Sequence, residues 1–424
     1  MLRGLVIALA LILSLPAWAE PIVLKRGLST EPWTSWPDEA GWSEPGFLDV
    51  FPEWRKAAGP QQIAAIKAAG FDFVRLAIDP APFLWQREPR RTAALTGNLK
   101  SRIREFEAAG LKVVIDIHAV PKGGYRKLGT GEYLADDAAF ERYLPVVKDI
   151  GLAIADEDPA HVAFEPFNEP TIDCDAIDAG SPGRWPQMLS KLHRTARAAA
   201  PRLTLVIQGA CWGGVSGLTA LDPRALADAN IIWCFHSYEP FLLTHQGASW
   251  TDGPERYISG LRYPPSLHTA AERKKLFTDA RKRIAKSERS RREKRRLTDE
   301  VREALNVYFA GGRAEAMIGA PFDKITAWAQ QHGIPPERVL LGEFGVIRKD
   351  EAAITPTASR TGVLKAVRRA AEAHGFAWAV WSWSGSFALT GGDAADALEP
   401  QLLSALGLAK EQSKQFIETP PQQP

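Results

Sequence analysis

Eight short runs of apolar or β-branched residues recur along this chain, with helical patterns between them. The runs cover residues 23–28, 71–76, 112–117, 161–164, 203–207, 231–235, 339–341 and 376–381. Gly59-Pro60 opens a helix that stops at Gly70, and residues 101–110 repeat the pattern with Gly110 as the stop. Further helical stretches span 140–155, 185–200 and 362–375. Strands that alternate with helices build a parallel sheet with right-handed crossovers. Eight such units predict an α/β fold, a closed (β/α)8 TIM barrel over residues 20–410. No Gly-x-Gly-x-x-Gly follows the first run, which argues against an open dinucleotide-binding sheet. A barrel of this kind needs ~250 residues, and this chain has 424. The excess is therefore expected in long loops after strand one (29–58) and strand six (241–320).

The first nineteen residues read as something other than fold. Arg3 precedes the apolar run Leu5 to Leu15, and Ala17-Trp18-Ala19 forms a small-x-small cleavage site before Glu20. The run is shorter than the ~20 residues that cross a bilayer. Residues 1–19 are therefore expected to be a signal peptide that directs export to a periplasm or the medium, with no stable membrane span. Residues 411–424 are polar and rich in Pro and Gln, as a frayed tail would be.

Charge excludes one class of partner and singles out one segment. With 52 Lys+Arg against 50 Asp+Glu, the formal net charge of +2 gives no bulk attraction for nucleic acid. Residues 271–297, however, hold 13 Lys/Arg and 4 Asp/Glu, a local +9. Such a segment within a helical insertion (about 265–315) reads first as a solvated helix or helix pair outside any catalytic centre. Docking on an anionic polysaccharide or membrane surface is the sharper alternative.

In a (β/α)8 barrel, chemistry gathers at the C-terminal ends of the strands. Arg75 ends run two, His118 follows run three, and Asn168-Glu169-Pro170 follows run four. His236-Ser237-Tyr238 follows run six, Glu343 follows run seven, and Trp381 ends run eight. Each has an ordinary structural explanation alone, such as a salt bridge, a packed ring or a solvated carboxylate. Together they place reactive or aromatic residues at six of eight strand ends on one rim.

Two carboxylates among neutral donors suit glycosidic cleavage. One must be protonated to donate to the leaving oxygen, and the other ionised to attack the anomeric carbon or activate water. Arg75 beside one of them would hold it ionised, and a site poor in cations would raise the other. Tryptophan stacks on the apolar faces of sugars, so 14 Trp point to an aromatic-lined cleft. No zinc spacing, Gly-x-Ser-x-Gly elbow or phosphate loop is present, so neither metal nor cofactor is expected.

Phe164-Glu165-Pro166-Phe167-Asn168-Glu169-Pro170 resembles the strand-four motif of glycoside hydrolase family 5, the cellulase family. Arg75, His118, Asn168, Glu169, His236, Tyr238, Glu343 and Trp381 match that family's set in order. The stretch Phe235-His236-Ser237-Tyr238-Glu239-Pro240-Phe241, with Trp250, is similar to a form seen in its bacterial endoglucanase-like members. The resemblance covers roughly residues 22–400. It implies that Glu169 is the acid/base and Glu343 the nucleophile. Arg75 and Tyr238 would bond to Glu343, and His236 would stand beside Glu169. Asn168 would bind the sugar 2-hydroxyl, and His118 and Trp381 would wall the −1 subsite. Trp383 is the alternative to Trp381, and Glu165 reads as structural. Trp33, Trp36, Trp212 and Trp250 are candidate subsite aromatics.

The resulting expectation is an endo-β-1,4-glucanase acting on polysaccharide or oligosaccharide as a monomer. Mannan, β-1,3-glucan and an endogenous polysaccharide remain as other substrates, and a non-catalytic carbohydrate-binding barrel as the other class. Three cysteines allow one disulfide. Cys174 follows strand four and Cys211 ends strand five, so neighbouring strands predict a Cys174–Cys211 bridge. Cys234, inside run six, is then a buried thiol.

Overall fold

The structure is a computed structural model that describes residues 20–30, 59–84, 88–119, 129–350, 353–392 and 397–408. Eight parallel strands close a barrel. They are β1 (Arg26–Ser29), β2 (Phe73–Ile78), β3 (Lys112–Ile117), β4 (Val162–Glu165), β5 (Thr204–Gln208), β6 (Ile231–His236), β7 (Val339–Glu343) and β8 (Ala377–Val380). Each strand pairs with its neighbours in sequence, and β8 pairs with β1 to close the ring. The predicted TIM barrel is the fold observed. A two-stranded hairpin (Lys349–Asp350 with Ala353–Ile354) lies outside it.

Alternation along the strands divides the molecule into two cores. Residues of one parity face outward against the helices, and those of the other fill the barrel. The inner set is Phe73, Val114, Ala163, Val206, Ile232, Cys234, Leu340, Ala377 and Ala379, closed below by Ile22 and Leu24. The first strand starts later than the apolar pattern suggests, because Val23 is 56% exposed and the chain enters the ladder only at Arg26.

Local chemistry explains the helices. Pro60–Ala69 has Pro at its first turn and ends at Gly70, whose φ of 100° suits a left-handed cap. The helix expected from residue 101 begins at Pro89, where Pro again takes a first-turn position. Helices Asp137–Ile154, Trp185–Ala199 and Thr357–Ala373 lie where the pattern placed them, within a few residues.

The insertion after β6 contains a helix pair, Ala270–Lys286 and Arg291–Phe309. Thr269 with Glu272, and Ser290 with Glu293, form capping boxes at their starts. Leu276, Ala280 and Ile284 on one helix and Leu297, Val301, Leu305 and Tyr308 on the other are buried in the main core. Lys274, Arg281, Lys286, Arg291, Arg292 and Arg295 face solvent.

Tryptophan is distributed otherwise than expected. Of the eight described tryptophans, Trp185, Trp233, Trp328, Trp378 and Trp383 are buried in the core. Large rings fill the space between barrel and helices, so most of these residues are packing rather than cleft lining. Residues 1–19, residues 31–58 with Trp33 and Trp36, and residues 411–424 lie outside the described residues. No described helix is long and apolar enough to cross a membrane.

Candidate active site

The site begins one step above the apolar barrel layer. Moving two residues along a strand keeps the side chain pointing inward. From Phe73, Val114, Ala163, Val206 and Cys234 that step reaches Arg75, Asp116, Glu165, Gln208 and His236, and all five are buried. A register shift between Phe235 and His236 aligns His236 with Glu343. Sequence parity alone thus stacks a polar layer on a greasy one.

Arg75 is the hub. It sits in the middle of β2 rather than at its end, and it is fully buried. Its Nε and Nη2 donate to the two oxygens of Glu165 at 2.7 and 3.0 Å. Nη1 donates to Glu343 Oε1 at 2.7 Å, and Nη2 to Asn168 Oδ1 at 2.6 Å. Asp116 Oδ2 lies 3.0 Å away. Burial alone would lower the guanidinium pKa, but Asp116, Glu165 and Glu343 together drive it well up. Glu165, expected to be structural, is one of the carboxylates that fix this cation.

Glu343 ends β7 and is 4% exposed. Besides Arg75, the Tyr238 hydroxyl donates to its Oε2 at 2.8 Å. Both carboxylate oxygens are thus held by donors, which fixes the carboxylate in place.

Glu169 differs in every respect. It follows β4 in a left-handed backbone (φ 45°) and keeps 23% of its side chain exposed. Burial raises its pKa to about 7, more than the nearby His118 and Arg75 cations offset. His236 Nδ1 stands 2.7 Å from Glu169 Oε1 and 3.7 Å from Glu343 Oε2. Burial lowers the His236 pKa to about 4, so the ring is neutral near pH 7.

His118 bonds to Asp116 Oδ2 through Nδ1 at 2.7 Å and stacks on Trp381 at 5.1 Å. Burial pulls its pKa down, but Asp116, with Glu343, outweighs that and raises it to about 9. Trp381, half-buried, therefore stands at the mouth beside the polar layer. Trp383 does not take its place. It is 1% exposed in the hydrophobic core, with its backbone N–H donating to Ser29 O at 3.0 Å.

The remaining predicted residues flank the mouth. Trp212 is 47% and Trp250 53% exposed. The Trp212 amide donates to Pro170 O, next to Glu169. Trp250 lies 6.2 Å from Phe387, whose ring packs on Tyr238. Cys174 and Cys211 form a disulfide with a Cα separation of 4.7 Å, and Cys234 is a buried free thiol.

Two residues of the site were missed at the level of sequence, Asp116 and Gln208. The Gln208 amide contacts Glu165, Asn168 and His236 and accepts from the Glu169 backbone. Gly213 (φ 62°) packs so closely on it that a Cβ there would lie 2.2 Å from Gln208 Oε1. Donor atoms of Glu165, Cys234 and His236, and of Glu169, His236 and Glu343, cluster within 4.8 Å. Both sets draw on His236, whose two nitrogens are engaged by Gln208 and Glu169.

Known proteins with similar sequences identify the family. The family model for cellulase (glycosyl hydrolase family 5) matches residues 40–386. The chain is 25% identical over 242 residues to Endoglucanase 3 of Fibrobacter succinogenes, covering 57% of this chain and 32% of that protein. It is 26% identical over 206 residues to Endoglucanase C of Acetivibrio thermocellus, covering 48% and 57%. The alignments thus span less than two thirds of these relatives' lengths. Among solved structures, Thermotoga maritima Cel5A with cellobiose superposes with a TM-score of 0.59 at 23% identity, covering 91% of this chain and 97% of that one. The cellulose synthase subunit Z of Clostridioides difficile gives 0.60 at 19%, covering 90% and 99%. These structural likenesses show the fold. The family match runs through both glutamates and the whole polar layer, and this chain belongs to the cellulase family, glycosyl hydrolase family 5.

Proposed function

We propose that this chain is an exported, retaining glycoside hydrolase that cleaves β-1,4-glucan internally. The observation that carries the reading is the pairing of unlike carboxylates. A carboxylate oxygen of Glu169 lies within 4.8 Å of one of Glu343. Carboxyl groups ~5–5.5 Å apart suit retention, whereas inversion needs ~6.5–9.5 Å to admit a water.

The two glutamates then divide the chemistry. Glu343 attacks the anomeric carbon as the glycosidic C–O bond breaks, and Glu169 gives its proton to the departing oxygen. Glu169, now a carboxylate, takes a proton from water, whose oxygen attacks the same carbon and displaces Glu343. The net change is one water added across one glycosidic bond.

Glucan as substrate is supported by the endoglucanase names of the relatives and by Trp212 and Trp250 exposed beside the mouth. Thermotoga maritima Cel5A has been solved with mannotriose as well as cellobiose, which puts mannan on the substrate panel. Export is supported by the charged, then apolar, then small-residue pattern of residues 1–19.

Purified protein incubated with β-1,4-glucan, β-1,3-glucan and β-1,4-mannan should release mixed oligosaccharides fastest from β-1,4-glucan. Proton NMR of the first products should show the β-anomer. Initial α-anomer would overturn the mechanism, and preference for another polymer would overturn the substrate.

A further inference from the structure

Gln208 is one of the buried side chains in the polar layer, and its contacts leave it a single orientation. The Glu169 backbone N–H, which can only donate, points at Gln208 Oε1 at 3.0 Å. At the other end Nε2 donates to Glu165 Oε1, an oxygen that also accepts from Arg75. Both contacts demand the same placement of oxygen and nitrogen. The second Nε2 hydrogen has two acceptors within reach, His236 Nε2 at 3.2 Å and Asn168 Oδ1 at 3.4 Å. Asn168 Oδ1 already accepts from Arg75 at 2.6 Å, which leaves His236 as the better partner.

An accepting His236 Nε2 carries no proton. In a neutral ring the one N–H is then Nδ1–H, and it donates to Glu169 Oε1 at 2.7 Å. The proton of the carboxylic acid is thereby left to Glu169 Oε2, the oxygen that His236 does not engage. We propose that Gln208 is a positioning residue that sets the His236 tautomer and so decides which oxygen of Glu169 carries the transferable proton. Its Oε1 also braces the left-handed backbone of Glu169, a conformation that a residue with a side chain seldom adopts. Gln208 is held in turn from behind, because the Trp185 indole donates to its carbonyl at 3.0 Å.

This assignment rests on Glu169 being the acid/base, and its test separates the two claims. Nitrogen NMR of histidine-labelled protein reads the tautomer directly, whatever Glu169 does. Wild-type His236 should appear as the Nδ1–H form between about pH 5 and 7, above its own pKa of about 4. Observation of the Nε2–H form would overturn the proposal without any variant having to fold.

Gln208→Leu keeps the bulk and removes every hydrogen bond of the amide. On an aryl β-cellobioside with a poor leaving group, kcat should fall roughly 10- to 100-fold, part of the ~10²–10⁴ that general acid catalysis contributes. KM should change little. With a dinitrophenyl leaving group, which needs no proton, the loss of kcat/KM, which reads only the step that expels it, should shrink to a few-fold.

The basic limb of the pH profile should move upward, because a His236 ring free to change tautomer withdraws the Nδ1–H donor that favours the charged form of Glu169. The ionisable groups around Glu169 and His236 are Arg75 on β2, Asp116 and His118 at β3, Glu165 on β4, Cys234 on β6, Tyr238 after it, and Glu343 on β7. All remain in the variant. An equal loss on both leaving groups with an unmoved pH profile would sink the positioning role. Should Glu169→Gln also lose kcat/KM equally on both, the acid/base assignment itself fails.

Discussion

Arg75 Nη1 donates to Glu343 Oε1 at 2.7 Å, joining two residues 268 positions apart in the sequence. The same guanidinium bonds to Glu165, so one cation orients Glu343 and offsets buried negative charge. Arg75→Leu should cost about 3–5 kcal/mol of stability, since it strands buried carboxylates. Arg75→Lys should fold better yet remain nearly inactive, because an ammonium cannot reproduce the planar fork. Urea denaturation and turnover on soluble glucan measure the two effects. A Lys variant with near-normal kcat would contradict this account.

Under the proposed mechanism Glu169 should set the alkaline edge of activity. Its pKa is raised to about 7, chiefly by burial, and the acid is lost as pH rises through that value. The basic limb of kcat/KM should therefore fall near pH 7. The same shift affects stability. An unfolded Glu titrates near ~4.3, so between about pH 4 and 7 the native state binds more protons, and stability falls as pH rises. Glu169→Gln removes that loss. Its melting temperature relative to wild type should rise across the window, and a constant difference would refute the linkage.

Trp381 and Trp383 should separate binding from folding. Trp381→Ala removes a half-exposed ring stacked on His118, and kcat/KM should fall about tenfold, ~1.4 kcal/mol of transition-state contact. Trp383→Ala opens the core and should cost about 3–5 kcal/mol of stability. Thermal melts paired with kinetics distinguish them, and the reverse pattern would mean that the rings have exchanged roles.

Cys174 and Cys211 close a separation of 37 residues around the loop that follows Glu169. Cross-linking a loop of this size contributes on the order of 4 kcal/mol in the chain-entropy model. Cys174→Ser should lower the melting temperature by several degrees and weaken activity more at high temperature than at low. Denatured, unreduced protein should titrate one thiol, that of Cys234, and three thiols would eliminate the bridge.

The basic helix pair should be dispensable for turnover through its charge but not through its packing. Its apolar stripes belong to the main core, so excision would uncover them. Replacing Lys274, Arg281, Lys286, Arg291, Arg292 and Arg295 by Gln should leave turnover on a short oligosaccharide within a few-fold. Collapse of turnover on that substrate would show that these charges shape the cleft.

Strand-end reasoning found most of the site because barrel chemistry collects where strands stop, and Glu169, His236 and Glu343 lie there. It missed Asp116 and Gln208 because they lie within the ladder, where a polar residue in an apolar run reads as an interruption. Gln208 was within reach of the same logic. Strand five was left without a functional end residue, and counting two positions on from Val206 lands on it. The tryptophan count misled for a related reason. Composition reports how many rings a chain has, while burial depends on whether each faces helix or mouth, and Trp381 and Trp383 differ by two positions.

Gly213 carries a consequence for how such a sequence can change over time. A Cβ at this position would meet Gln208 Oε1 at 2.2 Å and Glu169 Cγ at 3.7 Å. Alanine at 213 is therefore incompatible with glutamine at 208 as placed here, while glycine tolerates several residues at 208. The order of substitution is constrained. Exchange of Gln208 clears the contact but leaves the left-handed φ of 62° that favours glycine at 213, whereas exchange of Gly213 first would also displace Gln208 against Glu169. Among related sequences the two positions should vary as a pair, with glutamine at the first found alongside glycine at the second.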